Sequence, residues 1–285
     1  MAHRPRRARA ALCAPALCER QIHTGSLPLS RRSWLNKFRE WTDLDGPLLG
    51  PPIYLFETAR MYFEERSEGF DARFGTDTSS PVLGRNPNAA SHFYVPTTGS
   101  VIYEILGKLP LKPNRFSFVD MGSGKGRALL VASEFPFAKI VGVELSAHLH
   151  GIAEENIERY QPDSQACKNF TLHCMNAADY AFGSEPVVLF LFDPFGEEIL
   201  RRVLANLEAS FKAAPREVFV VYVFPQFEAL LRGSSYLNRI SEGGPRWRPW
   251  SSYVIYGTSR QSSPHMPTPA AVIPERRSLI RDRTH

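Results

Sequence analysis

The sequence has little cysteine, no long apolar run and almost no acid at its start. Its four cysteines, Cys13, Cys18, Cys167 and Cys174, form no C-x-x-C pair. Neither a disulfide framework nor a zinc site is therefore predicted, and no metal is expected. No stretch approaches the roughly 18 apolar residues of a membrane span. Residues 1–29 hold a single acid, Glu19, against Arg4, Arg6, Arg7 and Arg9. That composition suits a disordered leader or an organellar targeting segment, and Pro15 within the short apolar patch Ala10–Cys18 argues against secretion. A cytoplasmic-type, reducing compartment is the expectation, with organellar targeting by the leader as its alternative. The net charge of +5 sits largely in the two ends, the second carrying Arg276, Arg277, Arg281 and Arg283. A basic balance held in tails does not describe a nucleic-acid groove, so nucleic acid is not the expected partner.

What is present is the composition of a globular chain: 285 residues, 43% hydrophobic and 22% charged. Trp34, Phe38 and Trp41 share one face of a short helix capped by Ser30 or Ser33, and Pro47, Pro51 and Pro52 end it. Residues 53–68 read as a second amphipathic helix with Phe56, Ala59 and Phe63 inward. Phe70 to Asn88 is rich in Gly, Asp, Thr, Asn and Pro and reads as a loop. Pro96 then fixes an extended approach to a helix over Val101–Leu106, which Thr97 or Thr98 can cap.

The chain is organised around Phe116–Leu145, which reads as strand, glycine-rich turn, helix and strand, one βαβ unit. The apolar run Phe116–Val119 breaks at Asp120 into Gly122, Ser123, Gly124 and Gly126. Glycines at alternate positions let the backbone turn freely and are expected to bring its N–H groups against a ligand at the helix N-terminus. The second strand, Lys139–Val143, stops at Glu144, whose carboxylate can take both hydroxyls of a ribose. The G-x-G-x-G spacing departs from the G-x-G-x-x-G of dinucleotide sites. It suits a flat backbone shelf for a ligand without phosphate; a tight turn in an unrelated α/β protein is the structural alternative.

Asp120-Met-Gly-Ser-Gly-Lys-Gly followed by Val-Gly-Val-Glu144 resembles the first two motifs of class I methyltransferases that use S-adenosylmethionine (SAM). The resemblance implies that Asp120, Gly122, Ser123, Gly124 and Gly126 lie beside the amino-acid portion of SAM and that Glu144 binds its ribose. Asn176-Ala177 stands where that family carries a Gly-Asp-Ala turn for the adenine; the Asn176 oxygen can still accept from the exocyclic amine. Tyr94-Val-Pro96-Thr97 resembles an element of small lysine methyltransferases acting on mitochondrial carrier and ATP-synthase subunits, where it packs over the methionine end of SAM. Asp193-Pro194-Phe195-Gly196 partly resembles the Asp/Asn-Pro-Pro-Tyr/Phe signature of amino-methylating enzymes, one proline short. The overall pattern looks most like small, largely uncharacterised SAM methyltransferases, with a looser likeness to the non-SET lysine methyltransferase of nucleosomes.

Beyond Glu144 the alternation continues. Leu149, Ala153, Ile157 and Tyr160 mark a helix face; Asn169–His173 is a third strand. Val187–Phe192, apolar on both faces, reads as a central parallel strand. Leu200, Val203, Leu204, Leu207 and Phe211 stripe a long helix, Glu217–Phe224 is a fifth strand, and Phe227–Leu231 is a brief helix. Tyr236–Ile240 and Ser252–Tyr256 form a closing antiparallel pair around Trp247 and Trp250. The expected fold is α/β: a doubly wound, mostly parallel seven-stranded sheet with helices on both faces, a C-terminal antiparallel hairpin and an N-terminal helical extension. The expected organisation is a leader over 1–29, a helical extension and loop over 30–91, a SAM-dependent methyltransferase domain over 92–258 and a disordered tail over 259–285. The expected activity is methyl transfer to a nucleophile, foremost an amine such as a protein lysine. Asp193, Pro194, Phe195 and Tyr94 are the candidate catalytic residues, and Thr97 joins the cofactor set. A small-molecule N- or O-methyltransferase and a non-catalytic SAM-binding protein are the alternatives.

Overall fold

Five runs become five parallel strands, four of them largely buried on both sides and the one at the sheet edge half-buried along its length. They are β1 (Ser117–Met121), β2 (Lys139–Glu144), β3 (Phe170–Cys174), β4 (Val187–Phe192) and β5 (Val218–Val223). Two more, β6 (Leu237–Gly243) and β7 (Tyr253–Thr258), pair antiparallel with each other, and β7 pairs antiparallel with β5. The order is β3-β2-β1-β4-β5-β7-β6, the mostly parallel seven-stranded sheet that the sequence predicts. This computed structural model describes residues 69–80, 97–244 and 251–258. The helices expected before residue 69, the leader, Tyr94, Pro96, Trp247, Trp250 and the tail lie outside the described residues.

Alternate side chains of each strand feed two cores. On one face Phe118, Ile140, Phe190 and Val221 pack with Ile102, Ile105, Leu129 and Leu130. The last four come from α2 (Gly99–Lys108) and α3 (Arg127–Ala132). On the other face Val119, Val141, Leu189 and Val220 meet Leu200, Val203 and Leu207 of α5 (Glu197–Ala213) and Leu231 of α6 (Glu228–Arg232). Both sheet faces are covered, which is why these runs do not alternate in polarity.

Two local readings are corrected. The described part of the expected loop begins with a short helix, α1 (Phe70–Phe74), between left-handed Gly69 and Gly75. Phe70 stacks on Tyr160, ring centroids 5.6 Å apart, so burying aromatic surface overrides a loop-like composition. In α4 (Ala147–Arg159) the most buried positions are His150, Ala153 and Asn156, while Leu149 and Ile157 are half-buried. A polar residue holds the inward face because it has backbone partners there. Thr98 takes the N-cap position of α2, without a side-chain capping bond.

The chain winds outward from β1 to β3, then returns to start β4 on the other side of β1. That reversal opens a crevice at the carboxyl ends of β1 and β4, the place where doubly wound sheets bind ligands.

Candidate active site

The turn after β1 forms one wall of that crevice. Gly122, Gly124 and Gly126 have φ of 82°, 52° and 87°, values that other residues adopt only under strain. The turn spends its N–H groups on the protein. Gly122 and Ser123 donate to the Val143 carbonyl at 2.8 and 3.1 Å, and Gly126 donates to the Ser123 carbonyl at 2.8 Å. Gly124 donates to Glu144 Oε2 at 2.9 Å. The expectation that these amides meet a ligand is thus corrected for four positions: strand β2 and its terminal carboxylate claim three of them, and the Ser123 carbonyl within the turn claims the fourth. What faces the crevice is a shelf of glycine backbone rather than an anion nest.

Two carboxylates lie behind the shelf. Glu144, 9% exposed, also accepts from Ser146 N at 2.7 Å. Burial raises its carboxyl above the usual range, with the Ser146 and Gly124 amides opposing. Burial pushes Asp120 up to about 8, and the Glu144 charge adds to it. Once ionised, such a pair repels a pyrophosphate, and it suits a ligand bearing hydroxyls and a cation, which draws the charged form out.

The turn after β4 forms the other wall. Asp193 has φ 31° and is 8% exposed, and the buried Tyr222 hydroxyl on β5 donates to its Oδ1 at 3.3 Å. Phe224, just past β5, is the other non-glycine residue with positive φ among those described, at 51°. Left-handed backbone in such residues costs about 1–3 kcal/mol each and gathers where chemistry is done. The two walls touch: a Cβ on Gly122 would sit 2.4 Å from Pro194 Cβ. Phe195 is buried, and Gly196 caps α5.

Residues 78–184 match the model of a family described as histone methylation protein DOT1. With the glycine shelf, the paired acids and this strand order, that match decides the class. The chain is a SAM-dependent methyltransferase of Rossmann-like fold. No curated protein matches its sequence. Similar solved structures include a ribosomal protein L11 methylase from Lactobacillus delbrueckii subsp. bulgaricus, at 17% identity and TM-score 0.38 over 57% of this chain and 77% of that one. A glycopeptide N-methyltransferase, MtfA, solved with SAM, is similar at 11% identity and TM-score 0.42 over 61% of this chain and 98% of that one.

In the methyltransferase, Asp120, Gly122, Ser123, Gly124, Gly126 and Glu144 converge on one side of the crevice, and Asp193, Pro194 and Phe195 on the other. Asn176 lies two residues past the end of β3, whose Cys174 pairs with Glu144, and its Oδ1 accepts from Ala178 N at 2.9 Å and caps a 3₁₀ turn over Ala177–Asp179. Its oxygen is therefore shared with the backbone, and Ala177 is buried beside it. Thr97 is buried at the start of α2. Among the described residues no cluster of His, Cys, Asp or Glu is placed to hold a metal ion, and no helix is long and apolar enough to cross a membrane.

Sequence reading missed three residues that shape the site. Tyr222 looked like strand filler, yet it orients Asp193. Asn156 is fully buried, and its Nδ2 donates to the Asp77 and Lys125 carbonyls at 2.9 Å each. Lys125, 1% exposed, points from the glycine turn to Asp77 and Ser80. The available signal was Lys125 and Arg127 flanking the N-terminus of α3, whose first turn holds no acid. Cations there oppose the helix dipole and need carboxylates from elsewhere.

Proposed function

We propose that the methyltransferase acts on an amine nitrogen of a protein, foremost a lysine side chain. The observation that carries this is the buried Asp193 carboxylate at the carboxyl end of β4, held by Tyr222 and joined to the glycine shelf through Pro194. A lysine ammonium has an ordinary pKa near 10.4 and has no lone pair to offer until it loses a proton. SAM, when bound, supplies a methyl group already activated on a sulfonium. The remaining tasks fall to the protein. Asp193 accepts hydrogen bonds from the acceptor nitrogen, aims its lone pair and takes its proton. Phe195 and the Pro194 backbone form an apolar wall that excludes water. Gly122, Ser123, Gly124 and Gly126 carry the methionine end of the cofactor, with Asp120 beside it. Glu144 takes the ribose, Asn176 and Ala177 flank the adenine, and Thr97 closes the methionine side. The match to a family described by histone methylation supports a protein acceptor.

The test is incubation of the protein with methyl-labelled SAM and a cell lysate, separated into protein, nucleic acid and metabolites, with amino-acid analysis of labelled protein. Label in methylated lysine, lost in Asp193→Asn, is the expected result. Label confined to metabolites or nucleic acid would overturn it.

A further inference from the structure

The glycine turn is pinned from outside by a segment that sequence reading leaves as loop. Lys125 stands between left-handed Gly124 and Gly126. Its Nζ lies 3.1 Å from both Asp77 carboxylate oxygens, 2.6 Å from Ser80 Oγ and 2.9 Å from the Ser80 carbonyl. Asn156 ties the same two segments together again, accepting from Asp77 N at 2.7 Å while donating to the Asp77 and Lys125 carbonyls. The segment is itself knotted around Asp71, whose carboxylate accepts from Thr76, Thr78 and Ser79 at 2.6–3.0 Å. Arg127 repeats the pattern one residue past Gly126: its Nε donates to Thr78 Oγ1 at 2.5 Å, and its guanidinium lies over the Phe70 ring at 4.2 Å.

A buried lysine is costly to desolvate, and two cations at the start of α3 oppose its dipole. A turn alone would need neither. Three left-handed glycines leave the backbone loose unless other contacts fix its peptide planes. We infer that residues 76–80 form a strap that shapes the SAM shelf, with Lys125 and Asp77 as positioning residues whose pairing couples strap docking to cofactor binding. The inference rests on the proposed use of this turn for SAM. Because coupling is reciprocal, bound cofactor must in turn hold the strap down.

The test uses the full chain. Calorimetry with S-adenosylhomocysteine is run on the parent, Asp77→Ala, Lys125→Met, their double variant and Glu144→Ala, alongside hydrogen exchange of peptides covering residues 76–80. Each single change is expected to weaken binding about tenfold, and the double no further, as for two members of one pair. The ligand is expected to slow exchange in the strap of the parent and not of Asp77→Ala. If Glu144→Ala loses binding while Asp77→Ala and Lys125→Met keep it, the strap inference falls and the SAM site stands. If Glu144→Ala binds as the parent does, the site reading falls and takes the strap with it. Losses that add in the double variant, or that merely follow a lowered melting temperature, also overturn the coupling. Should Lys125→Met fail to fold, Asp77→Ala and Asp77→Asn decide the matter from the part-exposed partner.

Discussion

Asp120 is the residue whose chemistry is least obvious and most testable. Burial beside Glu144 pushes it up to about 8, well above the 3.8 of a free aspartate. The ligand-free fold therefore holds a proton that the unfolded chain has already released. Stability from this group is full below about pH 4 and is lost as pH climbs through about 8. Asp120→Asn should thus raise the melting temperature of the ligand-free protein at pH 8 by about 3–8 °C, and less at pH 5. The same change should weaken SAM binding about 10–100-fold, because a charge-assisted contact is lost. Calorimetry at pH 6.5 in buffers of different ionisation enthalpy should find a proton released by the parent on binding SAM and none by the variant. A melting curve equally pH-dependent in both would refute the assignment. Gly122 gives a steric counterpart. Its Cβ would stand 2.4 Å from Pro194 Cβ, at φ 82°. Gly122→Ala must push the Asp193 turn aside, and a misplacement of about 1 Å can cost about 100-fold in rate. The expected result is a fall in turnover at saturating SAM larger than any fall in SAM affinity; a variant with parental turnover would show that the two walls move independently.

At the scale of elements, what the sequence makes legible and what it hides divide along a physical line. Strands β1, β2, β4 and β5 were readable because a strand buried on both faces must be largely apolar along its middle, a local property of a few residues. Gly122, Gly124, Gly126 and Glu144 were readable for the same reason, since a left-handed turn and a strand-ending acid leave local marks. The strap was not. Asp71, Thr76, Asp77 and Thr78 have loop-like composition, and Asp77 meets its partner Lys125 at a separation of 48 residues. Asn156 was hidden likewise: a polar residue on a helix face is normally read as solvated, and here it is fully buried with three backbone partners. Asn156→Ala would strand those groups in the interior. It should cost about 2–4 kcal/mol of stability, seen as a lower urea midpoint without a change in slope. An unchanged midpoint would mean that the strap and α4 are held together by other contacts.

For the molecule as a whole, strand order does the work that no single motif can. Reversal between β1 and β4 brings the glycine turn and the Asp193 turn to one crevice although 71 residues separate Gly122 from Asp193. The crevice offers glycine backbone and two buried acids, with its amides turned inward, so it presents a phosphate with few N–H donors. That sets up a comparison between nucleosides of similar size. SAM at about 100 times its dissociation constant should stabilise the fold by about 2.7 kcal/mol. At about 2–4 °C per kcal/mol, the melting temperature should rise by about 5–11 °C. NAD at the same concentration should leave it unmoved, because its pyrophosphate would meet carboxylates where a dinucleotide site presents N–H donors. A melting temperature that rises with NAD and not with SAM would mean that the acids behind the shelf face away from the ligand, and the reading of the crevice would fail from its base upward.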